Sequence, residues 1–254
     1  MTLRTVEVEG VENVGEKFHD IIVGKILEVK VHPNADKLRI CIVDIGEDAP
    51  VQIVCGGSNL YDGEYVVVCK PGAVVVWHGQ GEPVKIEKTK MRGEESFGMI
   101  CAAEEVFLSD FFPAKDESEI IDLSGIKCAP GDNIADVVDM NDTVLEIDNK
   151  SLSNRPDLWG HYGIARELSA IYDVPLKAQE TYEMDKNLPK YDVEIKEPSK
   201  CYRYAAVEID GIYEKQSPMW MQSLLVKCGG RPIDALCQSL SAIVGEAFVE
   251  EVFM

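Results

Sequence analysis

Between Asp20 and Glu105 the chain alternates short apolar, β-branched runs with Gly and Pro breaks, and this rhythm restricts the fold more than any other feature. Ile21 to His32 has the content of a strand, and Pro33-Asn34 ends it. Leu38 to Ile45 is a second run, with Leu38, Ile40 and Ile42 on one side and Cys41, Val43 and Ile45 on the other. Val51 to Cys55 is stopped by Gly56-Gly57-Ser58-Asn59, and Tyr65 to Cys69 by Lys70-Pro71-Gly72. A fifth run covers Val84 to Met91, and Phe97 to Ala102 continues the sheet. Five short strands in about 90 residues predict a small closed barrel, because closure removes exposed sheet edges.

The remaining composition narrows the function classes. The 254 residues carry 45 Asp plus Glu against 25 Lys plus Arg, a net charge of −20. Indiscriminate nucleic-acid binding needs net positive surface, so that charge argues against it. The excess is uneven, with 10 cations and 15 anions over residues 15–105 but 14 and 27 over residues 106–254. A local basic patch therefore meets least repulsion in the barrel. At 46% hydrophobic residues the chain can bury a core, and its length suits roughly two domains. No apolar run approaches the roughly 20 residues of a membrane-spanning helix. The N-terminus lacks the basic start and apolar stretch of a signal peptide. The expectation is a cytoplasmic chain with no membrane partner.

The eight cysteines form no C-x-x-C pair, and the four histidines are scattered, so a structural zinc site has no support. Cys41, Cys55, Cys69 and Cys101 sit inside strand-like runs and read as reduced thiols packed as small hydrophobes.

Beyond the barrel, Ser109 to Pro130 is a connecting stretch and Thr143 to Asp148 another strand. Asn154-Arg-Pro-Asp157 predicts a helix start, with Asn as N-cap, Pro in the first turn and Asp favoured by the helix dipole. Leu158, Tyr162, Ala165, Leu168 and Tyr172 follow at helical spacing, and Asp173-Val-Pro175 ends the helix. Residues 177–190 read as a polar linker. Strands are expected at Val193–Ile195 and Tyr202–Ile209, then a helix from Ser217-Pro218 to Cys228 capped by Gly229-Gly230. Pro232 to Met254 reads as helix-like and apolar.

No phosphate-binding G-x-x-x-x-G-K-[ST], no G-x-G-x-x-G after a strand, no H-E-x-x-H and no G-x-S-x-G occurs. Nothing announces catalysis, and no catalytic or metal-ligating residue is assigned. More specific are three barrel segments: His32-Pro-Asn-Ala-Asp-Lys-Leu38, Cys55-Gly-Gly-Ser-Asn59 and Lys88-Thr-Lys-Met-Arg-Gly-Glu-Glu-Ser-Phe-Gly-Met99. Lys88, Lys90 and Arg92 are two residues apart, so one strand would project them from one face as a cationic stripe. Asn34, Ser58, Asn59 and Ser96 are short polar groups suited to phosphate and ribose oxygens. An unrelated barrel could carry the same stripe as a solvated face.

Together these segments resemble the tRNA-binding OB-fold module shared by bacterial phenylalanyl-tRNA synthetase beta subunits, methionyl-tRNA synthetase tails and free-standing tRNA-binding proteins. The resemblance implies that Asn34, Lys37, Ser58, Asn59, Lys88, Lys90, Arg92, Ser96 and Met99 lie on or near a tRNA-binding face. His32 and Asp36 are read as holding the turn. Two flanking stretches select the synthetase beta subunit among these relatives: Leu3 to Glu12, and Leu145 to Asp157 with Gly163-Ile-Ala-Arg-Glu-Leu168. Asp148, Asn154, Arg155 and Arg166 are expected to form a buried hydrogen-bond network at the helix start rather than a catalytic group.

What the resemblance implies is mainly β architecture with α+β parts. A five-stranded OB-fold barrel (16–111) would be inserted in a discontinuous α+β domain (1–15 and 112–176). A linker (177–190) and the truncated start of an editing-type domain (191–254) would follow. The family partners are tRNA and an alpha subunit, in a heterotetramer of two alpha and two beta chains. ATP and Mg2+ would serve the complete enzyme, with neither bound by this chain. Ser217 to Gln222 and Arg231 to Asp234 resemble the start of the editing domain, but the text from Leu236 to Gly245 matches neither D-x-[ST]-N-Y nor G-Q-P-x-H-x-F-D. A truncated or frameshifted product, inactive alone, is the expectation. The alternative is a non-enzymatic OB-fold tRNA-binding or chaperone-like module.

Overall fold

The computed structural model describes residues 1–178, 192–204 and 217–232. Its strands are β1 (Val8–Asn13), β2 (Ile21–Val31), β3 (Arg39–Asp44), β4 (Val51–Cys55), β5 (Tyr65–Cys69), β6 (Val74–Val76), β7 (Pro83–Lys85), β8 (Thr89–Met91), β9 (Glu94–Ser96), β10 (Met99–Ile100) and β11 (Thr143–Ile147). The helices are α1 (Ile134–Val137), α2 (His161–Tyr172) and α3 (Met219–Lys227).

Strand β2 organises the barrel. Its first half pairs with β5 and its second with β3, Lys25 facing both Tyr65 and Asp44. A bulge between Ile26 and Glu28 bends the strand where it changes partner. The antiparallel sheet runs β10-β5-β2-β3-β4. It comes close to closing because Phe97 N–H donates to the Gln52 carbonyl at 2.8 Å and Val54 N–H to Ser96 Oγ at 3.0 Å. The result is a nearly closed five-stranded antiparallel barrel, consistent with an OB-fold.

The barrel has a core on each side of its β2–β5 wall. Ile26, Cys41, Val43, Ile53, Val66, Val68 and Ile100 fill the interior. Ile21, Val23, Val67 and Cys69 face outward, where Phe18, Val106, Leu108, Leu123 and Ile134 cover them. That double coverage explains why β5 reads as an unbroken apolar run rather than an alternating one. Each such large aliphatic side chain contributes about 1.5–3 kcal/mol on burial.

On either side of the barrel in sequence, β1 and β11 pair antiparallel, with Val11 opposite Leu145. A third cluster of Val6, Leu152, Leu158 and Ile164 packs beside them. Helix α2 ends at Asp173, as its residues predict, with a left-handed φ of 54°.

Several expectations need correction. The single strand from Val84 to Met91 is two pieces: β7 pairs with β6, and β8 forms a hairpin with β9. Asn154 caps no helix. Pro156–Leu158 form a single 3-10 turn, and α2 begins at His161 behind Gly160. The supposed buried network is a half-exposed ion cluster without Asn154 or Asp148. Arg155 binds Asp157 and Glu167, Arg166 binds Asp157, and Thr5 Oγ1 donates to Glu167 at 2.7 Å. The Arg155 guanidinium holds the Asp157 carboxyl down to about 2. Val193–Ile195 is not a strand. Most of the expected 177–190 linker, residues 205–209 of the next strand and all of 236–254 lie outside the described residues. No described helix is long and apolar enough to cross a membrane.

Candidate nucleic-acid interface

The loop between β2 and β3 is set by His32, which is 3% exposed. Its Nδ1 accepts from Asn34 N–H at 3.1 Å, so the proton sits on Nε2, which faces the Met91 carbonyl at 3.2 Å. Asn34 then donates its side-chain amide to the Arg92 carbonyl at 3.1 Å. The Arg39 guanidinium closes the loop, donating to the carbonyls of Asp36 and Leu38 at 2.9 and 3.0 Å. Gly56 lies against Leu38 and the Lys37 carbonyl, which brings the loop after β4 to the same end of the barrel.

The β8–β9 hairpin turns through Arg92 and Gly93, whose φ values are 47° and 104°. Two positive φ angles are what a two-residue type I′ turn requires. The stripe of Lys88, Lys90 and Arg92 therefore does not lie along one strand. Only Lys90 is inside β8, Arg92 is in the turn, and Lys88 precedes the strand. Lys88 bridges to Glu95 at 3.3 Å and sits over the Phe97 ring. Gln52 fixes the other side, donating to the Glu95 carbonyl at 2.8 Å.

The nine residues singled out by sequence thus separate. Asn34 and Arg92 come together where the loop is clamped to the hairpin, while Lys37 lies farther along that loop and Lys88 and Lys90 farther back along the hairpin. Ser58 is exposed but on a loop whose backbone N–H is tied to Ser118. Asn59 spends its amide on the main chain of Ile120, donating at 3.1 Å and accepting at 3.0 Å. Ser96 is fully buried, its hydroxyl donating to Gly98 and accepting from Val54, so it has no exposed polar atom for a ligand. Met99 pairs with Cys69 and packs on the outer core. These last three hold the barrel's shape.

Among the described residues, Lys37, Lys85, Lys90 and Arg92 form no ion pair. Glu95, Gln52 and Phe97 were missed by sequence reasoning, because their roles depend on β9 lying beside β4. Buried thiols add no chemistry: burial pushes Cys41 up to about 12 and Cys55 up to about 11, far from a nucleophilic thiolate. No three His, Cys, Asp or Glu side chains converge to hold a metal ion among the described residues.

Residues 21–127 match the family model described as a putative tRNA binding domain. The chain is 36% identical over 251 residues to a phenylalanine–tRNA ligase beta subunit of Bacillus cereus, covering 97% of this chain and 30% of that protein. It is 36% identical over 235 residues to the Bacillus subtilis beta subunit, covering 91% and 28%, and 35% identical over 238 residues to that of Staphylococcus aureus, covering 92% and 29%. The chain spans about 30% of the length of these relatives. Among solved structures it is similar to the C-terminal domain of Plasmodium vivax p43, at 28% identity over 32% of this chain and 43% of that one, with a TM-score of 0.25 that carries no structural argument. The loop, the hairpin and the flanking strands therefore lie in a chain that is similar over nearly all of its length to phenylalanine–tRNA ligase beta subunits, and its residues 21–127 match a putative tRNA binding domain.

Proposed function

We propose that this chain is the N-terminal part of a phenylalanine–tRNA ligase beta subunit whose barrel contacts tRNA through the clamped β2–β3 loop and β8–β9 hairpin. The observation that carries the reading is the set of unpaired cations, Lys37, Lys90 and Arg92, held at one end of the barrel by the His32 and Asn34 bonds. Lys88 and the exposed Ser58 border that face, while Asn59, Ser96 and Met99 keep its framework in place. With few base-reading groups, the face would recognise backbone and shape rather than sequence.

In this reading residues 16–111 are the OB barrel, and residues 1–15 with 112–176 form a discontinuous flanking domain. The β1–β11 pairing and the cluster around Val6 and Ile164 support that division. Residues 191–254 would begin an editing-type domain, to which α3 belongs. The complete ligase would add an alpha subunit, in an assembly of two alpha and two beta chains in the cytoplasm, with ATP and Mg2+ used there. The described residues offer no donor set for Mg2+, so no step is assigned through it, and the chain's own part is binding and bracing.

The test is a titration of labelled tRNA against wild type and Lys90→Ala at two salt concentrations. Loss of one phosphate contact should weaken binding and reduce the log–log salt slope by about one unit. If neither changes, the cations are a solvated face and the barrel is a brace within the synthetase. Co-purification with a phenylalanine–tRNA ligase alpha subunit tests the assembly separately. Failure there favours the free-standing OB-fold or chaperone-like module.

A further inference from the structure

Beside the cationic face lies a cleft that phosphate binding alone leaves unused. About 410 Å3 of space opens between the start of β4 and the β8–β9 hairpin, walled by Val51, Gln52, Lys88, Glu94, Glu95 and Phe97. Ser96 is buried in the barrel, and Phe97, just past the end of β9, is half-buried and lines this cleft. The Lys88 ammonium lies over one face of the ring, 5.7 Å from its centre. Glu95 Oε2 holds that ammonium at 3.3 Å and sits directly across the hairpin from Lys90. More than half of each side chain in the Lys88–Glu95 pair is exposed, so water screens the pair and a competing anion can replace the carboxylate.

A half-buried aromatic ring lining a cleft, a cation over one of its faces and two unpaired cations next along the hairpin are the elements of a nucleotide site. A base offers a π-face for the ring, and its phosphate is a stronger partner for Lys88 than a screened carboxylate. The volume lies in the range of small-ligand sites. We propose that the cleft takes one unpaired nucleotide of the bound RNA, its base stacked on Phe97 and its phosphate replacing Glu95 at Lys88. Glu95 acts as a resident competitor. A phosphate arriving without a base to stack must displace it unaided, so the pair favours RNA with an unstacked loop over a plain duplex.

This inference rests on the tRNA-binding reading, and the experiment separates the two. Affinities of the full chain are measured for an RNA hairpin with a single-stranded loop and for a duplex with equal phosphates, using wild type, Phe97→Leu and Glu95→Gln. Phe97→Leu keeps apolar packing, so it should weaken loop RNA about five- to thirty-fold while leaving the duplex within about two-fold. Glu95→Gln should tighten the duplex more than the loop RNA and so narrow the preference. Equal effects of Phe97→Leu on both RNAs, or no effect of either substitution, overturns the cleft. Adenosine 5′-monophosphate titrated against the labelled chain supplies an arm independent of tRNA. Shifts of the Gln52 amide and the Phe97 ring support the cleft even if tRNA fails to bind, which would sink the tRNA reading alone. Absence of such shifts at millimolar ligand overturns the cleft even if tRNA binds.

Discussion

Asn34 and Arg92 lie 58 positions apart, yet the Asn34 side-chain amide donates to the Arg92 carbonyl at 3.1 Å. With the neighbouring His32–Met91 contact, that bond joins a strand-connecting loop and a hairpin turn into one surface. It also supports a main-chain carbonyl where Arg92 departs from the usual negative φ.

His32→Ala should therefore destabilise the chain. The substitution removes the acceptor of the Asn34 N–H and one donor to the Met91 carbonyl, and opens space in a site that is 3% exposed. Unsatisfied groups of this kind cost about 1–3 kcal/mol. Urea unfolding measures it, and an unchanged midpoint would mean that the loop stands without the imidazole.

Glu64 should give stability a distinct pH dependence. It is fully buried, Oε2 accepts from Tyr61 N–H at 3.2 Å and Oε1 has no hydrogen-bond partner. Burial, with the Asp122 charge adding to it, pushes the carboxyl from its ordinary 4.5 up to about 7. The unfolded chain ionises first, so the folded state loses stability as pH rises from about 4.5 to 7 and levels off above that. Linkage puts the full loss at no more than about 3 kcal/mol. Glu64→Gln should flatten this slope and leave the protein more stable than wild type at pH 8. Identical pH profiles for the two proteins would refute the assignment.

Gly163→Ala should disrupt the start of α2. A Cβ there would collide with the Asp157 carbonyl oxygen, a backbone atom that cannot swing aside. Either the 3-10 turn or the helix must shift, breaking the Arg155–Asp157–Arg166 ion cluster. Overpacking of this kind costs about 1–3 kcal/mol or more. Thermal unfolding checks it, and a melting temperature within a degree of wild type would contradict the packing.

Cys41 should resist alkylation. With its thiol pushed up to about 12 by burial, almost no thiolate exists at pH 8, and the side chain is inside the barrel. Native-state labelling with iodoacetamide, read by peptide mass, should modify it only after denaturant is added. Rapid labelling of Cys41 in the folded chain would show that the barrel opens.

The first four barrel strands are legible from local residues because each is short, β-branched and bounded by a turn signal. Tyr65 to Cys69 is a buried strand on any pairing, as its unbroken apolar run requires coverage on both faces. The end of α2 is equally local, since Asp173-Val-Pro175 stops a helix by its own backbone preferences. The motifs His32–Leu38 and Lys88–Met99 also mark the candidate site region, because they carry its cations and turn residues.

What adjoins what was decided only by the tertiary structure. Arg92-Gly93 lacks the Asn-Gly signature of a tight hairpin, so a continuous strand and a cationic stripe are the natural reading of Val84 to Arg92. The turn becomes visible once β9 has docked on β4 through Gln52 and Ser96. The same docking buries Ser96 completely and leaves Phe97 only half-buried, two neighbours that local chemistry ranks the opposite way. Asn59 looks like a ligand group by residue type, yet the Ile120 backbone, 61 positions on, takes both ends of its amide. Residue type states what a side chain can bond. Which partner it meets depends on non-local strand pairing, which no short-range pattern encodes.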